Sequence, residues 1–283
     1  MIDALVTGAG GFVGRALVAR LKAEGRDVLA LDRAAGEVED AATWEALPAA
    51  RCVYHLAART YVPDSWRDKA AFIKTNVMGT EQALAYCRQH GARLIYLSAY
   101  VYGIPQNLPI AEEHSVSPNN PYALSKHLAE QLCAFAAAFQ GVDVTVLRPF
   151  NIYGVGQRSD FLIPTIIEQV KRGDVIRVKD LAPRRDYVYI DDVVEAMVKA
   201  AACPSGYHVL NIGSGQSSSV EEIIATVQRV AGTSFPVYSE EQVRAQEIPD
   251  VVADVRLAKD VLGWSPRTSF EEGIRNLIRM ETA

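Results

Sequence analysis

The stretch Thr7-Gly8-Ala9-Gly10-Gly11-Phe12-Val13-Gly14 decides the fold. It follows a short apolar run at residues 2–7 and opens a segment, residues 12–24, whose apolar positions recur at helical spacing. Each glycine has a separate steric reason. Gly8 permits the tight turn out of the strand, Gly11 lets the backbone come close to a pyrophosphate, and Gly14 lets the helix pack closely on the sheet. The amino end of that helix, Phe12 and Val13 included, turns free N–H groups toward a phosphate. A glycine triplet by itself is a weak signal, and its bland reading is a plain turn. The strand before it and the helix after it are what point to a dinucleotide.

Working outward, apolar strands at residues 27–32, 51–55, 93–98 and 142–148 alternate with helical stretches at residues 65–90 and 121–140. Short apolar strands between amphipathic helices predict a parallel sheet covered on both faces, the doubly wound α/β architecture. Between Asp32 and Arg51 there is room for one short helix, residues 41–47, and for no further strand. After residue 150 the pattern is irregular, with helices expected near residues 164–172, 191–202, 220–231, 256–262 and 270–280. The expected division is a dinucleotide-binding domain over 1–150. Residues 151–283 form a smaller substrate-binding lobe, parts of which return to the first sheet.

Asp32 closes the second strand, where a carboxylate can accept hydrogen bonds from an adenosine ribose diol. It would repel a 2′-phosphate, so NAD is favoured over NADP, although Arg33 next to it could pair with such a phosphate. The bland reading of Asp32 is a solvated strand end. Tyr122 and Lys126 are four residues apart on one helix face, behind a good cap in Asn120 and a Pro121 suited to the first helical position. A free tyrosine is a poor acid–base group at neutral pH, and a nearby ammonium improves it. Without that context, the pair is a Tyr and a Lys on a solvated face. Ser98 ends a strand on the side where open parallel sheets bind ligands, and otherwise reads as a backbone cap. The helix carrying Tyr122 continues apolar almost all round, as a helix does when the sheet covers one side and a second subunit the other.

The bulk numbers agree with a globular enzyme. The chain has 283 residues, 49% hydrophobic and 22% charged, with a net charge of −5 that argues against a nucleic-acid partner. Its four cysteines, Cys52, Cys87, Cys133 and Cys203, are scattered. That spacing fits neither a metal site nor a disulfide scaffold and suits a reduced, cytoplasmic setting. No signal peptide or membrane span is expected.

Taken together, these blocks resemble the extended short-chain dehydrogenases/reductases that modify nucleotide sugars. They are the glycine loop, HLAA at residues 55–58, Thr75-Asn76-Val77 with Gly79-Thr80, LSAYVYG at 97–103, NPYALSK at 120–126, LRPFNIYG at 147–154, RRDYVYIDDV at 184–193, LNIGSG at 210–215 and LGWSP at 262–266. The resemblance implies that NAD(P) is held by Gly8, Gly11, Phe12, Val13, Gly14, Asp32, Arg33, Leu56, Ala57, Ala58 and Asn76. It places Glu37 and Val38 at the adenine, with Glu where Asp is usual. It makes Ser98, Tyr122 and Lys126 the catalytic trio, with Tyr122 as the acid–base and Lys126 lowering its pKa and binding the nicotinamide ribose. Asn151, Phe161, Leu162 and Arg185 would hold the nucleotide-diphosphate sugar, with Arg244 in place of a second arginine that is absent from Glu247-Ile248-Pro249-Asp250. Related dehydratases and decarboxylases carry a glutamate where this chain has Ala99-Tyr100, so neither reaction is expected. A 4-epimerase is favoured, a 4-keto sugar reductase is the alternative, and a non-catalytic NAD-binding scaffold is disfavoured by the intact trio. Related enzymes commonly dimerise through the Tyr122 helix and the helix at residues 65–90, so a homodimer is expected.

Overall fold

The structure, a computed structural model, describes residues 1–173, 175–242 and 247–280. The first half runs β1 (Ile2–Thr7), α1 (Phe12–Ala23), β2 (Val28–Leu31), α2 (Ala42–Glu45), β3 (Ala50–His55), α3 (Val62–Arg67), α4 (Lys69–Phe72), α5 (Gly79–His90), β4 (Arg93–Leu97), α6 (Pro121–Gln140) and β5 (Val144–Pro149). The second half runs β6 (Asn151–Tyr153), α7 (Leu162–Arg172), β7 (Ile176–Val178), β8 (Arg184–Tyr189), α8 (Ile190–Ala200) and β9 (Tyr207–Ile212). It ends with β10 (Ser217–Ser219), α9 (Val220–Ala231), β11 (Val237–Ser239), α10 (Arg256–Leu262) and α11 (Phe270–Met280).

Six strands form the main sheet in the order β2-β1-β3-β4-β5-β9, all parallel. The order reverses between β1 and β3, which makes the crevice at their carboxyl ends the topological switch point. The mixed α/β class and the parallel central sheet are as the sequence predicts. β2 is the edge strand because the short link after it carries only a single turn of 3₁₀ helix and α2.

Alternate strand residues serve opposite faces. Ala4 and Val6 join the cluster with Leu17, Leu21 and Val193 under α1 and α8, whereas Leu5 joins Val53, Leu94, Ala129 and Cys133 under α5 and α6. The second half supplies β9 to the main sheet and builds two small sheets, β10-β8-β6 and β11-β7. Two buried aspartates tie it together. Asp186 accepts from Ser214 N (2.6 Å), Ser214 Oγ (2.7 Å), Gly215 N (2.9 Å) and Ala253 N (3.0 Å). Asp192 accepts from Arg267 N and Thr268 N, each at 3.0 Å, and its carbonyl takes Trp264 Nε1 at 2.9 Å. These bonds account for several of the quoted motifs as scaffolding.

One expectation fails. Residues 65–90 do not form a single helix. Asp68 leaves helical geometry (φ −136°, ψ 75°) and caps α4 through Ala71 N, and residues Ile73–Met78 widen into a π-helical turn before α5. π turns inside helices recur at functional sites, and this one carries Asn76.

Candidate active site

The glycine loop is built as its sequence demands. Gly8 has φ +67°, and a Cβ there would lie 2.7 Å from Ala57 N; a Cβ on Gly14 would lie 2.2 Å from Gly8 O. Gly11 caps α1 from an extended conformation, and Phe12 and Val13 are its first helical residues. Behind the loop, Thr7 is a pin that sequence reasoning missed. Its Oγ1 accepts from Leu56 N and Ala57 N (3.2 Å each) and bonds His55 Nδ1 at 2.8 Å. The segment Leu56–Ala58 is thereby locked against β1. Burial, aided by the Lys126 charge, lowers the His55 pKa to about 3, so the ring is neutral. Arg15, also missed, reaches back to Gly10 O at 2.8 Å and so stands against the glycine loop. Its signal was available, as a cation one residue past the last glycine.

Asp32 Oδ1 accepts from Ala34 N at 3.0 Å, and Oδ2 points toward the glycine loop, 3.8 Å from where a Cβ on Gly10 would stand. Arg33 and Glu37 are exposed, while Val38 is buried against Gly79 and its carbonyl holds Trp44 Nε1 at 2.8 Å. Asn76 is buried and fully engaged with protein: Nδ2 donates to Ser125 Oγ (2.8 Å) and Arg59 O (3.0 Å), and Oδ1 accepts from Arg59 N (2.8 Å). It staples the loop after β3 to α6.

Asn120 caps α6 by accepting from Ala123 N at 2.9 Å, and Pro121 occupies the first turn. Tyr122 is half-buried with Phe72 edge-on at 6.4 Å, and burial pushes its phenol well above the ordinary value. Lys126 is 2% exposed. Its Nζ lies 4.4 Å from the Tyr96 ring centre. Burial lowers its pKa to about 7 against a smaller upward pull from Glu130. Ser98 is buried at the end of β4, its N–H bonded to Leu147 O at 2.8 Å and its Oγ donating to Glu130 Oε1 at 2.5 Å. Thus β4 and α6 bring the serine, tyrosine and lysine to the carboxyl end of the sheet. Glu130 and its partner Arg148 were not singled out from the sequence. Tyr100, where related dehydratases carry a glutamate, donates to Gly103 O at 2.6 Å and packs edge-on against Phe150.

On the lobe side, Asn151 is half-buried and donates to Asp186 O at 3.2 Å. Phe161 and Leu162 open α7, with Phe161 40% exposed. Arg185 is already paired: Nη1 donates to Arg184 O (2.7 Å) and Ile248 O (2.6 Å), and Nη2 is bonded to the Glu247 carboxylate. Glu247 occupies the position at which the resemblance implies an arginine, and it neutralises one instead. Arg244 lies outside the described residues.

Comparison with known proteins sharpens this picture. Residues 4–213 match the model of the NAD-dependent epimerase/dehydratase family. The chain is 31% identical to the GDP-6-deoxy-D-mannose reductase of Pseudomonas aeruginosa, over 96% of this chain and 95% of that one. It is 30% identical to a UDP-glucose 4-epimerase of Lactobacillus helveticus, over 93% and 92% of the two chains. Among solved structures, the UDP-glucose 4-epimerase of Thermotoga maritima, crystallised with UDP-glucose, superposes with a TM-score of 0.92 at 29% identity, over 99% of each chain. The glycine cradle, the acid beyond β2 and the tyrosine and lysine on α6 thus sit in a chain that belongs to the NAD-dependent epimerase/dehydratase family and is an NAD(P)-dependent enzyme.

Proposed function

We propose that the protein inverts C4 of a nucleotide-diphosphate sugar, acting as a 4-epimerase. The observation that carries this reading is the Tyr122–Lys126 pair on α6 beside Ser98, with Ala99-Tyr100 following the serine. There is a group to take and return the hydroxyl proton, and Ala99-Tyr100 stand after Ser98 in place of an acid that could deprotonate C5.

The residues present fit NAD. A Cβ at Gly8 or Gly14 would collide with the backbone of Ala57 or of Gly8, so glycine is what keeps the loop tight enough to leave its N–H groups open to a pyrophosphate. Asp32, Leu56–Ala58 and Lys126 would hold the two riboses and the loop side, with Phe12 and Val13 N–H groups at the pyrophosphate. When bound, the nicotinamide supplies a reversible hydride acceptor at sugar C4. The chain's own residues manage the proton. In the free protein the Tyr122 phenol is held protonated by burial, and positive charge at the nicotinamide and at Lys126 favours its phenolate. Tyr122 then takes the C4 hydroxyl proton and gives it back to the same oxygen after the sugar turns over. Asn151, Phe161, Leu162 and Arg185 bind the nucleotide diphosphate; Arg185 exchanges Glu247 for a phosphate oxygen, which suits a bidentate guanidinium.

A second reading, reduction of a 4-keto sugar nucleotide, is favoured by the short link between β2 and β3 and by the full-length similarity to the Pseudomonas reductase. The two differ in whether cofactor is recycled. The exposed Leu124, Leu128, Phe135 and Phe139 on α6 support a homodimer formed through that helix. Four free, buried cysteines suit a reducing cytoplasm, and no described helix is long and apolar enough to cross a membrane.

The test is to ask whether purified protein carries NAD(H) and interconverts C4 epimers of UDP- and GDP-sugars without net cofactor consumption. Tyr122→Phe should lower the rate by about 10²–10⁴-fold with cofactor affinity unchanged. Stoichiometric oxidation of NADH or NADPH by a 4-keto sugar, with no interconversion, would establish the reductase instead. Wild-type turnover by Tyr122→Phe would refute both.

A further inference from the structure

Tyr122, Lys126 and Glu130 follow one another at four-residue intervals along α6 and so share one stripe of the helix. The proposed chemistry uses the first two and leaves the third unexplained. The Glu130 side chain is 1% exposed. Arg148, at the end of β5, donates to it from Nη2 (2.7 Å to Oε2) and Nε (3.0 Å to Oε1). Ser98 Oγ meets Oε1 at 2.5 Å, and His127 Nδ1 stands 3.8 Å from Oε2. Burial alone would raise this acid, but His127, Arg148 and Ser98 outweigh it and hold the carboxyl below its ordinary value. A carboxylate has no hydrogen to give, and a serine hydroxyl has one. In the Ser98–Glu130 bond the serine is therefore the donor.

We propose that Glu130 is a positioning residue that makes Ser98 a pure hydrogen-bond acceptor toward the sugar. The inference rests on the reading of this site as a C4 alcohol/ketone site. With its hydrogen held by Glu130, Ser98 Oγ offers the substrate only lone pairs. It accepts from a sugar hydroxyl and has nothing to give a carbonyl oxygen, so of the two hydroxyls in the trio only that of Tyr122 can donate to the ketone. Ser98 and Glu130 exchange no proton at any stage; the hydroxyl proton passes only between the sugar oxygen and Tyr122. Arg148 fixes the device from behind. It is itself anchored on Tyr102 OH (2.9 Å), whose hydrogen goes to Asn211 Oδ1 (2.6 Å).

Glu130→Gln tests the polarity directly. Arg148 carries only donors, so the glutamine carbonyl turns to Arg148 and its NH₂ to Ser98. Ser98 then accepts from Gln and its own hydrogen is freed toward the sugar. The measurement is calorimetric affinity for UDP-glucose and GDP-mannose against their 4-deoxy-4-fluoro analogues, which cannot donate from C4. It is made in a Tyr122→Phe background to remove the tyrosine's contribution. The parent should bind the hydroxyl sugar about five- to tenfold more tightly than the fluoro sugar, the yield of one hydrogen bond. Glu130→Gln should bring that ratio to about one or invert it. Ser98→Ala should abolish the ratio, and adding Glu130→Gln to it should change nothing further. Because Glu130→Gln leaves a buried guanidinium unpaired, Glu130→Leu with Arg148→Met is the companion that keeps the site neutral and leaves Ser98 no carboxylate to hold its hydrogen. A ratio unmoved by either variant, with or without a loss of thermal stability, overturns the inference. So does an equal shift when Ser98 is already alanine. If the parent binds neither sugar, the reading of the site falls first and takes this inference with it; binding with an unmoved ratio sinks the inference alone.

Discussion

Lys126 is a cation that the fold holds at a cost, and replacing it with methionine should make the cofactor-free protein more stable. The ammonium is 2% exposed, and burial brings its pKa from the ordinary 10.5 to about 7. The unfolded chain therefore binds a proton that the folded chain releases between pH 7 and 10.5, so stability rises with pH across that window. Below pH 7 the folded protein carries the full penalty. At 1.36 kcal/mol per pH unit the interval comes to roughly 5 kcal/mol, an upper bound because water can reach the site on protonation. At pH 9 the remaining penalty is roughly 2 kcal/mol, and above 10.5 it vanishes. Met keeps the length and the contact with Tyr96 but gives up a cation–π contribution of about 1–2 kcal/mol below pH 7. The net gain expected for Lys126→Met is about 3 kcal/mol at pH 6, falling toward zero as the pH rises. Urea unfolding of cofactor-free protein at pH 6, 7.5 and 9 reads this out, while rate and cofactor affinity should both collapse. A variant less stable than wild type at pH 6, or a difference independent of pH, would show that Lys126 is not held under this strain.

Asp32→Asn keeps the cap on Ala34 N and removes the charge facing the glycine loop, so the NADP(H)/NAD(H) affinity ratio should rise about tenfold; an unchanged ratio would leave Arg33 in control. Glu247→Gln frees Arg185 from its carboxylate, and KM for a diphosphate-bearing substrate should fall several-fold at low salt with kcat little changed; a rise in KM would mean that Glu247 orients the arginine. Phe135→Glu with Phe139→Glu puts two charges on the exposed face of α6, and light scattering should shift from twice the chain mass to the chain mass with the fold retained. A wild-type monomer would dispose of the interface.

Much of the frame was legible in the chain itself, because its causes are local. The glycines at 8 and 14 are required by a turn and by contacts that no side chain survives, and a Cβ on Gly11 would be tight against Gly8 O at 3.1 Å. The ends of α6 follow from Asn120, Pro121 and Gly141, the last in a left-handed cap at φ 69°. The four-residue spacing of Tyr122 and Lys126 is visible in any helix. What the sequence could not disclose depends on residues distant along the chain. The π turn at Ile73–Met78 is one case: apolar periodicity runs through residues 65–90 without a sign of it, and the Asn76 it carries is bonded to Arg59 and Ser125, far off along the chain. The company of Ser98 is another. Its hydroxyl is bonded to a glutamate thirty-two residues on, held by an arginine eighteen residues beyond that. The pairing of Arg185 with Glu247 spans sixty-two residues. Local spacing specifies which face a side chain takes. Only the packing of β4, β5 and α6 around one buried carboxylate decides which way a hydroxyl's single hydrogen points.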